Sequence, residues 1–214
     1  MKDGIFLSRE TIAEVIKFAE TDTKHRQAIA GLWVDATDPK KPIIEATDGH
    51  RLHRIQADNT AQNSPDTHNL TKTHLESSDK RIMLPGPDVK DIIFKLKEIE
   101  AISKMHRAPR TWSSEFKSVK VKFSSKRILF IAHDKVLIRY IKTNACPENA
   151  EGTVFGINTK YFIQALENFI NKSGMALDVE MLFKGETDPI IFKPVKQDYP
   201  FHMLMPVKMY PKGK

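Results

Sequence analysis

The sequence contains one cysteine, Cys146, in 214 residues. A single thiol excludes an internal disulfide framework and any cysteine-based metal cluster. No apolar run approaches the ~18 residues that a membrane span needs. The opening MKDGIFLSRE has neither an apolar signal core nor a cleavage site. No membrane partner is therefore expected, and the expected location is cytoplasmic. There is no Gly-x-x-x-x-Gly-Lys loop and no Gly-x-Ser-x-Gly elbow. The eight histidines are scattered, and His50 with His53 lacks a third ligand, so neither a metal nor a cofactor is expected. With 40% hydrophobic and 29% charged residues, the composition is that of an ordinary globular chain.

Charge is plentiful, and unevenly placed. The net charge is +7. Residues 81–145 carry 15 basic and 6 acidic side chains, whereas residues 146–214 carry 8 of each. A basic excess confined to the middle third predicts one cationic surface, for which nucleic acid is a common partner and a solvated face the plain alternative.

Three segments align without gaps: LSRETIAEVI (7–16), LPGPDVKDII (84–93) and INTKYFIQAL (157–166). Each begins with an aliphatic residue followed by a strand-breaking or capping residue, Ser8, Pro85 or Asn158. Apolar residues then recur at spacings of three and four: Ile12, Val15, Ile16; Val89, Ile92, Ile93; Phe162, Ala165, Leu166. Such spacing places each trio on one helical face. A short strand-like run precedes each helix and three follow it, with clean period-two alternation in Val119, Val121 and Phe123 against Lys120 and Lys122. The pattern predicts an α+β fold of repeated β-α-β-β-β modules, helices on one face of antiparallel sheets. The modules span 1–60, 81–145 and 153–214, with a polar connection at 57–80.

The stretch EATDGHRLHRI (45–55) admits three readings. Asp48-Gly49 is a strong hairpin signal by itself. Asp48 and His50 could instead form an acid–base pair, which would make the chain a hydrolase. The turn could also border a binding pocket. The hairpin with a binding role is preferred, and the chain is expected not to be an enzyme, with no catalytic residues.

ATDGHRL on a hairpin of such a module resembles the bacterial DNA polymerase III beta subunit, the sliding clamp. LPGPDVKDII, FGINTKYFIQALENFI and the ending FHMLMPVKM are similar to further clamp segments in the right order. The first module resembles the first half of the clamp's middle domain, the second module its second half, and the third the last half-domain. Clamps have six such modules; this chain has three. The resemblance implies a DNA replication and repair accessory protein that binds polymerases and other partners through short linear motifs containing Gln, Leu and Phe. By position, the peptide groove is implied to use Thr47, Gly49, His50, Arg51 and Leu52, with Met203, Met205 and Pro206 from the last strand. It leaves open contact with double-stranded DNA, homo-oligomer formation with ring closure, and an adaptor or decoy role that never encircles DNA. Lys104, Arg107 and Arg110 in SKMHRAPRTW, with Lys90, Lys95 and Lys97 on the second helix, are the residues expected to contact DNA, through sequence-blind phosphate attraction.

Overall fold

Ser8 has an extended backbone, and its Oγ accepts from the Thr11 N–H at 3.1 Å, which starts α1 (Arg9–Val15). This bond satisfies one of the donors that a first helical turn leaves over. After seven residues the chain tightens into a 3-10 turn, Ile16–Phe18. Three residues per turn bring Val15 and Phe18 onto one line. Those two are buried, whereas Ile12 and Ile16 are exposed. The expected Ile12–Val15–Ile16 stripe is thus replaced by Val15–Phe18. The other two stripes are as expected: Val89, Ile92 and Ile93 are buried on α2 (Gly86–Met105), and Phe162, Ala165 and Leu166 on α3 (Thr159–Glu167). Asn158 caps α3 by accepting from the Tyr161 N–H at 3.2 Å.

The computed structural model describes residues 7–21, 24, 26, 29–38, 40–57, 80–105 (without the side chains of 104 and 105), 118–132, 137–143, 150–195, 197 and 200–207. The chain divides into two units: residues 1–76 with 197–202, and residues 77–196 with 203–214.

In the first unit, β1 (Trp33–Asp35), β2 (Ile43–Thr47) and β3 (Arg51–Gln56) form an antiparallel sheet. The β2–β3 register opposes Ile44 to Ile55, Ala46 to His53 and Thr47 to Leu52. Val15, Phe18, Ile44, Ala46, Ile55 and Ala57 make its core.

The second unit contains β4 (Lys80–Leu84), α2, β5 (Ser118–Ser124), β6 (Arg127–Ala132), β7 (Leu137–Lys142), β8 (Val154–Asn158), α3, β9 (Val179–Phe183) and β10 (Ile190–Pro194). β11 (Phe201–Leu204) gives its first two residues to the first unit and its last two to the second. β4 pairs antiparallel with β9, and β8 with β5. The run 81–145 and the run from 153 therefore exchange their first strands, and α2 packs on α3. A single apolar cluster holds both runs together. The resemblance assigns those runs to two different clamp domains; in the structure they share one core, and residues 197–202 belong with the first unit.

α2 begins where Pro85 meets Gly86. The Gly86 N–H donates to Asp178 Oδ1 at 2.8 Å, and a Cβ at this position would collide with the Ala176 carbonyl. Glycine is required at this position for close approach rather than for an unusual φ.

Candidate partner-binding site

The turn after β2 is built around the Asp48 carboxylate. Its Oδ1 accepts from the backbone N–H groups of His50 at 3.0 Å and Arg51 at 3.1 Å. Its Oδ2 accepts from Arg51 Nε at 2.9 Å. The Gly49 N–H donates to Thr47 Oγ1 at 3.0 Å, and that hydroxyl donates to the Arg51 carbonyl at 2.7 Å. Gly49 has a φ of 82°, in the left-handed region that favours glycine. Arg26 Nη1 closes the turn on the carbonyl of Asp48 at 3.0 Å.

Arg51 is held on several sides. Besides Asp48, its Nη2 donates to the Lys17 carbonyl at 3.0 Å, and its guanidinium carbon lies 4.8 Å from the centre of the Phe18 ring. Arg51 therefore ties the turn to the 3-10 segment. His50 is exposed, and Leu52 is half-buried opposite Thr47. The Asp48 oxygens contact backbone donors and Arg51, not the His50 ring. The acid–base pair weighed for a hydrolase is not assembled in this geometry.

Behind the turn lies a cluster that sequence reading missed. His53 and His202 are both buried, with stacked rings 4.1 Å apart and an Nδ1–Nδ1 distance of 3.1 Å. One proton serves that contact, so one ring donates and the other accepts. Phe18 packs on both rings, and His53 Nε2 reaches Glu14 Oε1 at 3.3 Å. Burial pushes His202 well below its ordinary pKa, and the charges of His53 and Arg51 act in the same direction. The His53 hydrogen bond holds the Glu14 carboxyl below its usual range; partial burial opposes it, and the charges of His53 and Lys17 add to it. The available signal was parity: His53 occupies the same strand face as buried Ile55.

Thr47, Gly49, His50, Arg51 and Leu52 lie in the first unit, and the structure brings them together in one turn. Met203, Met205 and Pro206 lie in the second unit. There β11 ends at Leu204, which is buried, while Met203 and Pro206 are half-buried and Met205 is exposed. The Val207 N–H donates to the Gly156 carbonyl at 2.9 Å, which fixes the chain just beyond.

Of the residues expected to contact DNA, Arg107 and Arg110 lie outside the described residues, as does the side chain of Lys104. Lys97 pairs with Glu167 of α3 at 2.7 Å. Lys95 pairs with Glu98 at 3.2 Å, and this hydrogen bond holds Glu98 below its usual pKa against a smaller desolvation effect, with Arg139 assisting. Lys90 is exposed, with no ion-pair partner among the described residues. α2 carries four lysines and four carboxylates, so the helix is neutral. Among the described residues, the basic excess of the middle third lies in the β5–β7 region. Lys120, Lys122, Lys126, Arg127, Arg139 and Lys142 occur in the described residues of the β5–β7 region, which contain no acid.

Among the described residues no helix is long and apolar enough to cross a membrane, and no group of three or more His, Cys, Asp or Glu is placed to hold a metal ion. No family model and no curated protein matches the sequence. Solved structures do match. The Thermotoga maritima DNA polymerase III beta subunit superposes with a TM-score of 0.69 at 13% identity, over 98% of this chain and 67% of that one. The Bacillus subtilis DNA polymerase sliding clamp gives 0.67 at 14% identity, over 93% and 61%. The Helicobacter pylori beta clamp bound to a DNA ligase peptide gives 0.65 at 11% identity, over 92% and 62%. This chain spans roughly two thirds or less of the length of these proteins, and over that span its α+β architecture is the fold of the bacterial DNA polymerase III beta sliding clamp.

Proposed function

We propose that the protein is a clamp-like accessory factor of DNA replication and repair, whose task is to hold short linear motifs of polymerases or other partners. It is a binding protein and not an enzyme, and it works in the cytoplasm. The observation that carries this reading is the clamp fold together with the Thr47–Arg51 turn, in which Asp48 and Arg51 are committed to holding shape. A rigid turn that leaves His50 exposed and Leu52 at its border is suited to receiving a peptide side chain. The Helicobacter pylori clamp, of like fold, was solved with a DNA ligase peptide. Met203, Met205 and Pro206 are further candidate contacts, the exposed thioether of Met205 being adaptable to varied partners.

The test is titration of a peptide containing Gln, Leu and Phe into the wild type and into Leu52→Asp. Binding by wild type that is lost in Leu52→Asp supports the reading. Absence of wild-type binding at high micromolar peptide, or equal binding by the variant, contradicts it.

Within this reading, the modules 1–60, 81–145 and 153–214 are proposed as the repeating element. DNA contact, through Lys90, Lys95, Lys97, Lys104, Arg107 and Arg110, is weak and sequence-blind. Ring formation requires several copies; a monomer in light scattering assigns the protein to the adaptor role instead.

A further inference from the structure

The second unit contains a cleft of about 890 Å³ that borders β4, and all of its lining residues belong to that unit. Aliphatic groups line part of it: Met83, Leu84, Pro85 and Val195. Four cations line the rest: Arg81, Lys126, Arg127 and Lys142. Two carboxylates are also present, but both are bound into the framework. Asp88 accepts from the Thr143 hydroxyl, and Asp178 accepts from the Gly86 N–H. Arg81 lies 3.5 Å from Glu180, yet its side chain remains 60% exposed. With four cations against two carboxylates the lining is net positive, and Lys120 and Lys122 extend that sign along β5.

Among the described residues, β4 ends its sheet and pairs with β9 alone. Its residues alternate, Ile82 and Leu84 buried, Arg81 and Met83 exposed. The outer edge of such a strand presents unpaired N–H and C=O groups. An extended peptide added there would place alternate side chains in the cleft.

We propose that this cleft docks an acidic, extended segment of a partner protein, which adds as a strand to β4. Its carboxylates meet Lys126 and Lys142, and an aliphatic side chain rests against Met83, Pro85 and Val195. Charge complementarity selects an acidic occupant. A single-stranded nucleic acid shares that charge but needs aromatic faces for its bases. No aromatic side chain lines the cleft among the described residues; Tyr140 of β7 is exposed but outside the lining, and Arg127 lies over its ring, 5.2 Å from the centre.

The probe is a fluorescein-labelled short peptide alternating Glu and Val, read by anisotropy, with its Lys-for-Glu counterpart and labelled oligo(dT) as comparisons. Wild type binds the acidic peptide and not the basic one. The double variant Lys126→Glu/Lys142→Glu, altered only at exposed positions and checked for an unchanged thermal melt, binds it about tenfold or more weakly. Amide shifts on binding are centred on Lys80–Leu84. Four results overturn the proposal: no binding of the acidic peptide, equal binding by wild type and double variant, tighter binding of oligo(dT) with the same dependence on Lys126 and Lys142, or displacement by the Gln-, Leu- and Phe-containing peptide. The last would show one site rather than two, and it leaves the outcome of the Leu52→Asp titration intact.

Discussion

The two units are held together by different physics. In the second, 29 buried residues form one apolar cluster, with Phe123 and Phe183 stacked within it. In the first, the described core has six residues, two of them alanines. Around that small core the first unit places polar ties: Asp48 with Arg51, Arg54 with Glu45, and His53 with His202 and Glu14. A small apolar core supplies little stabilisation by itself. Its fixed shape then depends on hydrogen bonds that are costly to leave half-made. The unit that carries the candidate binding turn is thus the one sensitive to charge, pH and single polar substitutions.

The sharpest way to break this contrast is to remove core volume. Phe123→Ala should destabilise the second unit by about 3–5 kcal/mol, measured by denaturant unfolding. A cost below about 1 kcal/mol would mean that the large cluster is not what holds this unit.

The next effect is Arg51→Ala in the first unit. It removes the Asp48 contact, the tie to the Lys17 carbonyl and the cover on Phe18. The expected cost is about 2–3 kcal/mol, with peptide binding lost along with the turn. Retention of full peptide affinity would show that the turn does not need its arginine brace.

Asp48→Asn sharpens the same point. The amide oxygen still accepts from the His50 and Arg51 N–H groups, so the turn survives, but the charge facing Arg51 is gone. The expected loss is about 1–2 kcal/mol. Gly49→Ala should cost about 1 kcal/mol, because alanine resists a φ of 82° although its Cβ would meet Arg26 and Ile29 at 3.4 Å, an ordinary contact. Thermal melts of both variants check these values, and a larger loss from Gly49→Ala than from Arg51→Ala would make backbone conformation, not the arginine brace, the main support of the turn.

Much of the fold was legible because it is local. Helical spacing marked Val89, Ile92 and Ile93 on α2 and Phe162, Ala165 and Leu166 on α3, and all six are buried. Period-two alternation marked β5, and Asp48-Gly49 marked the turn. α1 was misread at Ile12 and Ile16 because a 3-10 turn changes the period from about 3.6 to 3 residues, which no helical spacing rule anticipates. The His53–His202 pair was not legible because its members are 149 residues apart and each alone looks like a scattered histidine. The charge count located the basic third correctly but not its face. Lys95 and Lys97 are paired to Glu98 and Glu167, the second of which sits on another helix. Among the described residues the excess is left to the lysines and arginines of the β5–β7 region, a distinction that needs tertiary structure.

The contrast between the units is tested most directly by amide hydrogen exchange in one sample at neutral and mildly acidic pH. His202 is buried with its pKa pushed well below 6.5. On unfolding it regains its ordinary affinity and takes up a proton, so stability is full above pH 6.5 and falls as the pH drops from there towards the folded value. One such proton is worth about 1.4 kcal/mol per pH unit in that window. Glu14, also lowered on folding, adds its loss only at lower pH, as the medium passes below 4.5 towards its folded value. Between about pH 7.5 and about pH 5.5, amides of β2 and β3 should therefore lose about tenfold in protection, after correction for intrinsic exchange, while those of β5, β6 and β9 change little. His202→Phe should abolish the difference between the two pH values. Equal loss in both units, or an unchanged β2–β3 hairpin at the acidic pH, would contradict the account.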